Sequence, residues 1–228
     1  MIDNLIKFFI LNGVFLFLTF GYLYMARRSD HTREELRQLI LETMIAHLKT
    51  APYQSLSIRQ LSAQVGYVPS SILNVFGSYQ LCWLEVCARV LDELYMVCEQ
   101  ALRETKCSVS QAGQNKVLAV ATAYYDFAQQ KPYFWKLVFD LRLAEGDTMP
   151  DWQSQRIEKL FRLLQGELNQ LKPSATQAEL ADTSRALWAS VHGITQITLE
   201  DKLFSAGAPG DVLINQIISH FLASWQQK

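Results

Sequence analysis

Signals for two short helices joined by a tight turn lie within one short segment, and they restrict the fold more than any other feature of the chain. Ser57 and Gln60 form a capping-box pattern, in which the serine hydroxyl accepts from the amide three residues on and the glutamine reaches back. Gly66 suits the left-handed residue that ends the first short helix. Pro69 suits the first turn of the second helix, and Gly77 ends it.

A longer helix precedes this pair. From Thr32 onward apolar residues recur at three- and four-residue intervals, at Leu36, Leu39, Ile40, Met44 and Leu48. In the second short helix the spacing turns Ile72, Val75 and Phe76 inward and Ser70, Ser71 and Asn74 outward. The pattern is typical of a helix-turn-helix unit, whose second short helix enters the major groove of DNA.

The composition favours helices throughout. Glycine (10) and proline (6) are scarce in a chain of 228 residues, half of them hydrophobic, which argues against sandwiches and barrels. The net charge of −1 excludes a uniformly basic DNA-coating protein. Residues 26–78 have six basic and four acidic side chains, an excess of +2, whereas residues 79–228 sum to −3. The sign suits DNA binding, and the small excess predicts modest affinity with a gentle salt dependence.

Six further helices are predicted after residue 80. Their boundaries follow from apolar periodicity and from Pro and Gly stops: Leu81–Glu104, Gln114–Gln130, Pro132–Leu143, Asp151–Leu171, Gln177–Leu203 and Asp211–Trp225. The fold is therefore predicted to be all-α. The helices predict a three-helix DNA-binding domain over residues 26–79 and a six-helix domain over residues 80–228, to which the family resemblance given below assigns effector binding and dimerisation.

The run SIRQLSAQVGYVPSSILNVFGSYQLCWLEV (57–86) resembles the TetR/AcrR family of bacterial transcriptional regulators. Trp188, His192 and Gly193 are similar to the Trp-His-Gly signature of one subgroup's C-terminal domain. We expect Trp188 and His192, four residues apart, to be neighbours on one helix face. A packed structural histidine is favoured over a ligand contact, beside a glycine that allows close helix approach.

The resemblance implies a set of DNA contacts made by helix N-termini, groove-facing side chains and a basic arm. These residues are Arg27, Arg28, Ser57, Arg59, Tyr67, Pro69, Ser70, Ser71, Asn74, Ser78 and Tyr79. The chain departs from the family at Pro69, Leu73 and Tyr79, where the family commonly has lysine or a small residue, tyrosine, and lysine. Several phosphate contacts are thus missing.

The resemblance also implies an effector site in the middle helices, where aromatic residues are concentrated. Such a stripe usually forms core, but its hydroxyls also suit an apolar pocket with a few polar groups. The candidates are Tyr124, Tyr125, Tyr133, Phe134, Trp135, Phe139, Trp188 and His192. Because few charged residues lie nearby, the predicted effector is a small apolar or aromatic molecule, neutral or weakly anionic.

The last two helices are apolar on more than one side, which predicts a homodimer formed through them; the alternative is that they complete the core of one chain. Cys82, Cys87, Cys98 and Cys107 lack metal-binding spacing and are expected to be reduced and mostly buried. No metal or cofactor is predicted.

Residues 1–25 form an apolar extension with two possible origins. Residues 5–24 contain 15 apolar side chains in 20 positions, enough to span a bilayer. In one interpretation they tether the protein to the inner membrane. In the other, which we prefer slightly, Met25 is the true start. Both interpretations place the rest of the chain in the cytoplasm, and a membrane partner is possible only if residues 5–24 are translated.

Together these features predict a ligand-responsive transcriptional regulator, most often a repressor in this family, that binds a palindromic double-stranded DNA operator as a dimer. The alternative is a helical small-molecule-binding or membrane-associated adaptor whose DNA-reading unit has decayed. An enzyme is least expected, since the sequence has no nucleophile elbow, phosphate loop or H-E-x-x-H motif.

Overall fold

The computed structural model of the chain describes residues 31–105, 112–143, 145–146, 148–203 and 209–227. Within these residues it contains nine α-helices, confirming the predicted all-α class. They are α1 (Arg33–Leu48), α2 (Ile58–Val65), α3 (Pro69–Phe76), α4 (Tyr79–Glu104), α5 (Ala112–Gln130), α6 (Pro132–Asp140), α7 (Asp151–Leu171), α8 (Gln177–Leu199) and α9 (Gly210–Gln226). The predicted extension 1–25, Arg27, Arg28 and Cys107 lie outside the described residues.

Helices α1, α2 and α3 pack together as an amino-terminal unit. Thr32 caps α1 by a capping box with Glu35, and its side-chain oxygen lies 3.3 Å from the Glu35 amide nitrogen. Gly66, at φ 75°, turns the chain between α2 and α3 in the left-handed conformation that glycine adopts without a steric penalty. Ile40, Leu61 and Ile72, one from each helix, are fully buried and form the centre of this unit.

Helix α4 is the longest element and belongs to both parts of the molecule. It packs against α1 and α3 near its start and against α5, α6 and α7 along the rest of its length. Helices α5 to α9 complete a bundle around it. Its thiols Cys82, Cys87 and Cys98 are buried and free, as predicted, and burial raises the pKa of each to about 12. Across the described ranges, no helix is long and apolar enough to cross a membrane.

Three features of the helix boundaries differ from the sequence prediction. A single 3-10 turn, Tyr53–Ser55, lies between α1 and α2. Helix α6 ends at Asp140 rather than Leu143, because Leu141 is extended. Helix α8 ends at Leu199 rather than Leu203, since Asp201 takes a left-handed conformation at φ 52° and reverses the chain. Each stop depends on backbone geometry that the apolar periodicity does not encode.

Candidate nucleic-acid interface and effector cavity

The outward face of α3 carries the polar side chains that the sequence predicted there. Ser70 and Asn74 are exposed and Ser71 is half-exposed, whereas Ile72, Val75 and Phe76 are buried against the rest of the amino-terminal unit. Hydroxyl and amide groups on one face of an otherwise apolar helix suit hydrogen bonding to base edges. The short helix is therefore oriented as a DNA-reading helix requires.

Apolar atoms also lie on this surface, which the sequence prediction missed. Leu73 is 38% exposed on α3, and Val68, which precedes Pro69, is 61% exposed. Val68 is the N-cap of α3 and provides no side-chain cap, with Pro69 at the first helical position. Apolar side chains at such a site can contact thymine methyl groups. Both residues expose apolar surface whose burial against a partner would be favourable.

Ser57 and Ser78 both cap helices. The Ser57 hydroxyl donates to Gln60 Oε1 at 2.7 Å and accepts from the Gln60 amide at 3.3 Å, so its hydrogen is used inside the capping box. Ser78 Oγ accepts from the Leu81 amide at 3.1 Å. Both helix starts offer a phosphate their remaining first-turn amides and the helix dipole, and at α2 the serine hydrogen is already used.

The two predicted tyrosines have different surroundings. The Tyr67 hydroxyl, half-buried, lies 2.8 Å from His31 Nδ1. The Tyr79 hydroxyl donates to the Leu56 carbonyl at 2.5 Å, and its ring meets Trp83 edge-on at 6.2 Å. Burial raises the pKa of Tyr79 to about 12. The structure therefore corrects the assignment of Tyr79 to DNA contact, because its only hydrogen already satisfies a backbone carbonyl.

Two of the basic residues counted in this unit are engaged within the protein. Arg33 donates to the Asn74 and Val75 carbonyls at 3.2 and 3.3 Å, at the carboxyl end of α3. Arg37 pairs with Glu85 at 2.5 Å and lies over the Phe76 ring. These arginines hold α3 against α1 and α4. The sequence prediction missed both roles, since nothing local links residues about forty positions apart.

Arg59 and Lys49 remain exposed, and neither forms an ion pair with another described residue. Arg59 lies in the first turn of α2, where it is available to a phosphate or a base edge. Because Arg37 is paired with Glu85, the positive charge of this surface is smaller than the count from the sequence. This reinforces the expectation of modest, gently salt-dependent DNA affinity.

A cavity of about 420 Å³ lies inside the carboxy-terminal bundle. All six helices from α4 to α9 contribute to its walls, which are lined by Leu91, Leu94, Cys98, Val117, Val120, Ala121, Tyr124, Val138, Phe139, Ile157, Leu160, Phe161, Leu164, Leu187, Trp188, Val191 and Ile218. Its volume lies within the range of small-molecule sites, about 300–1,000 Å³. Of the eight predicted pocket residues, only Tyr124, Phe139 and Trp188 line it.

His192 occupies an aromatic cluster beside the cavity rather than the cavity wall. Its ring stacks on Trp135 and Trp188 at 5.0 and 5.1 Å between centroids, and Phe139 lies 4.4 Å away. The Tyr124 hydroxyl lies 2.8 Å from its Nδ1. Desolvation lowers the pKa of His192 below its ordinary value. These contacts fit the expected packed histidine with one hydrogen-bond partner.

The other predicted pocket residues lie elsewhere. Tyr125 is buried near the start of α9, where its hydroxyl accepts from Gln129 at 2.6 Å. Phe134 is buried and Tyr133 packs partly buried on the same core. Trp135 is buried in the His192 cluster. All four are core residues.

The expectation that Gly193 allows close helix approach is wrong. A Cβ at this position would meet no atom within 4 Å. The close approach instead involves Gly210 at the start of α9, where a Cβ would lie 2.6 Å from the Tyr125 hydroxyl oxygen and 2.8 Å from Thr198 Oγ1.

A hydrogen bond connects the amino-terminal unit to α6, one of the helices that form the cavity wall. The Tyr53 hydroxyl, in the 3-10 turn, donates to the Asp140 carbonyl at 2.9 Å. Asp140 is the last residue of α6 and follows Phe139, which lines the cavity. The Tyr53 ring also meets Trp83 of α4 edge-on at 5.6 Å.

The apolar surfaces of α8 and α9 divide between core and solvent. Most of their large apolar residues fill the core of the chain itself, among them Leu187, Val191, Ile214, Ile218, Leu222 and Trp225. Ile197 and Val212 are each 42% exposed. The face available to a second copy is therefore narrower than the sequence pattern indicated.

Comparison with known proteins gives a family match in the carboxy-terminal bundle. Residues 117–221 match the family described as tetracyclin repressor-like, C-terminal domain. The matched segment runs from α5 to α9 and includes fourteen of the seventeen residues that line the cavity. None of the curated proteins with which the sequence was compared matches it.

Several solved structures share the fold over most of the chain. A protein of unknown function from Rhodococcus sp. RHA1 is 19% identical, with a TM-score of 0.67 over 87% of this chain and 98% of that one. A TetR-family transcriptional regulator from Streptomyces coelicolor is 15% identical, with a TM-score of 0.58 over 85% and 82%. One from Bordetella parapertussis is 18% identical, with a TM-score of 0.53 over 83% and 95%.

Proposed function

We propose that the chain is a TetR-family transcriptional regulator that binds a palindromic DNA operator as a homodimer and represses transcription until an effector binds. The match of residues 117–221 to the tetracyclin repressor-like C-terminal domain, and the fold shared with TetR-family regulators, support this proposal. The observation that carries the DNA-binding part is the outward face of α3, with exposed Ser70 and Asn74 above buried Ile72 and Val75. A regulator of this kind acts in the cytoplasm, where its operator lies. Tethering through residues 5–24 stays a prediction.

The proposed interface divides into base readout and phosphate contact. Ser70, Ser71 and Asn74 face base edges in the major groove, with Asn74 suited to a bidentate contact with adenine. The first-turn amides of α2 and α4 and the Arg59 side chain contact phosphates. Arg27 and Arg28 are proposed as an arm that extends along the duplex.

A gel-shift titration tests the DNA-binding proposal. The probe is duplex DNA from the intergenic region flanking the gene, titrated at low and at physiological salt, against a scrambled duplex. The Asn74→Ala variant should weaken operator binding by roughly 5- to 150-fold, the range of one lost bidentate base contact. Asn169→Ala, at an exposed asparagine of α7, is the matched control and should bind as wild type.

The same titration decides between the regulator and the adaptor. Sequence-selective, salt-sensitive shifts that depend on Asn74 support the regulator. Absence of any selective shift at low salt supports the adaptor with a decayed DNA-reading unit. Equal effects of Asn74→Ala and Asn169→Ala would contradict the proposed orientation of α3.

The cavity is proposed as the effector site, and two routes connect it to the DNA-reading helices. Leu91 and Leu94 of α4 line the cavity, while the start of the same helix packs against α1 and α3. The second route is the Tyr53 hydroxyl on the Asp140 carbonyl, one residue from Phe139. An effector changes DNA affinity only by binding one arrangement of these helices better than another.

Dimerisation is proposed through the exposed parts of α8 and α9, where Ile197 and Val212 are open to solvent. A single short recognition helix makes too few contacts to specify a site, so two-fold symmetry supplies the second half-site. The double variant Ile197→Glu with Val212→Glu should shift the molar mass measured by light scattering from dimer to monomer. A dimer that persists in this variant would contradict the proposed interface.

A further inference from the structure

We propose, building on the effector role assigned to the cavity, that the effector is an uncharged molecule with an apolar body and one hydrogen-bond acceptor held beside Tyr124. This specifies the chemical class of the ligand and its orientation. It goes beyond the sequence prediction, which allowed a weakly anionic ligand.

The walls of the cavity exclude a charge. None of the described residues that line it is ionised at neutral pH. Fourteen of the seventeen are aliphatic residues or phenylalanine, and the other three are Cys98, Tyr124 and Trp188. An ionised group moved from water into such surroundings loses its hydration without gaining an ion pair. At interior packing density the volume accommodates roughly 15–20 non-hydrogen atoms.

The polar groups are gathered at one place. Tyr124 and Trp188 lie on the side of the cavity that adjoins His192, and the Tyr124 hydroxyl lies 2.8 Å from His192 Nδ1. Burial raises the pKa of Tyr124 and desolvation lowers the pKa of His192, so both groups are neutral; in the proposed arrangement His192 Nδ1–H donates to the Tyr124 oxygen and leaves the hydroxyl hydrogen for a ligand. A ligand with one polar group therefore has one favourable orientation, with that group toward Tyr124.

The Tyr124 hydroxyl makes an acceptor the preferred polar group. Tyr124 is 6% exposed and lines the cavity. A buried donor without a partner is costly. A carbonyl oxygen beside Tyr124 accepts from its hydroxyl, whereas an ammonium offers only further donors.

Cation binding by the aromatic rings is disfavoured for a second reason. Aromatic faces attract quaternary ammonium groups when they are free. Here the His192 imidazole already stacks on Trp135 and Trp188 and lies 4.4 Å from Phe139. His192 therefore covers part of the aromatic surface that such a ligand would use.

Calorimetric titration with four probes on one phenylbutyl skeleton tests the proposal. The probes are 4-phenylbutan-2-one, butylbenzene, 4-phenylbutanoate and 4-phenylbutylammonium, at about pH 8, where the last two are charged. The ketone should bind most tightly, roughly 3- to 10-fold tighter than butylbenzene for one net hydrogen bond. Both charged probes should bind at least about 100-fold more weakly than the ketone because their ions are buried without a partner.

Two tyrosine variants separate the polar contact from general packing. Tyr124→Phe keeps the ring and removes the hydroxyl, so it should reduce ketone affinity toward that of butylbenzene while leaving butylbenzene unchanged. Tyr95→Phe is the control, since the Tyr95 hydroxyl donates to Glu99 at 3.0 Å outside the cavity. It should leave all four affinities unchanged.

Three outcomes would overturn the proposal: a charged probe that binds as tightly as the ketone, unchanged ketone affinity in Tyr124→Phe, or no binding by any of the four. No DNA is present in these titrations. Their failure therefore leaves the operator proposal to the gel shift, and a failed gel shift leaves the ligand proposal to calorimetry.

Discussion

Filling part of the cavity should stabilise the fold while weakening ligand binding. Ala121 lies on the cavity wall in α5, and Ala121→Leu adds three carbons to a space of about 420 Å³. At about 0.8 kcal/mol per buried carbon the gain is about 2.4 kcal/mol, reduced by about 0.5–1 kcal/mol of leucine rotamer entropy. We expect a net increase of about 1–2 kcal/mol in the free energy of unfolding.

The control for this variant is the same substitution on the same helix at a site without free space. Ala128 is fully buried and does not line the cavity. Ala128→Leu should destabilise the protein by about 1–3 kcal/mol through overpacking. Urea unfolding gives both free energies, and Ala121→Leu should raise the thermal midpoint by about 2–8 °C for a protein of this size.

Opposite signs for the two variants are the decisive result. If Ala121→Leu destabilises as Ala128→Leu does, the space is not available to a side chain, and the reasoning fails. If it stabilises but leaves the affinity for butylbenzene unchanged, the space is real but is not the ligand site. Calorimetric titration of the same preparations distinguishes these results.

Three further predictions concern other parts of the molecule. Ser57→Asp keeps a capping acceptor on α2 but adds a negative charge at the proposed DNA surface. Its free energy of unfolding should stay within about 1 kcal/mol of wild type, while its operator affinity should fall by roughly tenfold or more. The control Ser57→Asn, which caps the helix without a charge, should lose little stability and little affinity. Tyr53→Phe removes the hydroxyl that donates to the Asp140 carbonyl and should lower the free energy of unfolding by about 0.5–1.5 kcal/mol. It should speed hydrogen exchange at the end of α6 but not in α7. Unchanged exchange in α6 would show that this hydrogen bond does not couple the amino-terminal unit to α6. Because burial lowers the pKa of His192, the unfolded chain takes up a proton at a higher pH than the folded one. The stability contribution of this group is therefore complete above about pH 6.5 and is lost as the pH falls toward the lower folded pKa. The thermal midpoint should fall in this way in wild type and in the exposed control His220→Gln, and should fall less in His192→Gln.

The local parts of the fold followed from the sequence because their causes lie within a few residues. The capping box of Ser57 and Gln60, the left-handed Gly66 and the helix start at Pro69 each depend on backbone groups three or four positions away. The outward orientation of Asn74 follows from the burial of Ile72 and its neighbours on the opposite face of one short helix. Periodicity is sufficient for such features.

The long-range parts did not follow, because a helix pattern shows which face is apolar but not what that face meets. Trp135 and Leu160 are both apolar positions on helices, yet Trp135 packs against His192 while Leu160 lines the cavity. Likewise, the Tyr79 hydroxyl donates to the carbonyl of Leu56, which lies in the connection between α1 and α2. Which surface remains unfilled depends on how all six helices of the bundle pack.

The two hydrogen bonds from Arg33 to the carboxyl end of α3 have a consequence for how such a regulator searches a genome. A guanidinium that donates to main-chain oxygens has fewer N–H groups left for phosphates, so it adds less to residence on random sequence than a free arginine would. It instead holds the carboxyl end of α3, which carries the proposed reading face. Weak non-specific binding combined with a rigidly held recognition helix raises the ratio of operator to non-operator occupancy. This ratio decides regulation when many non-specific sites compete.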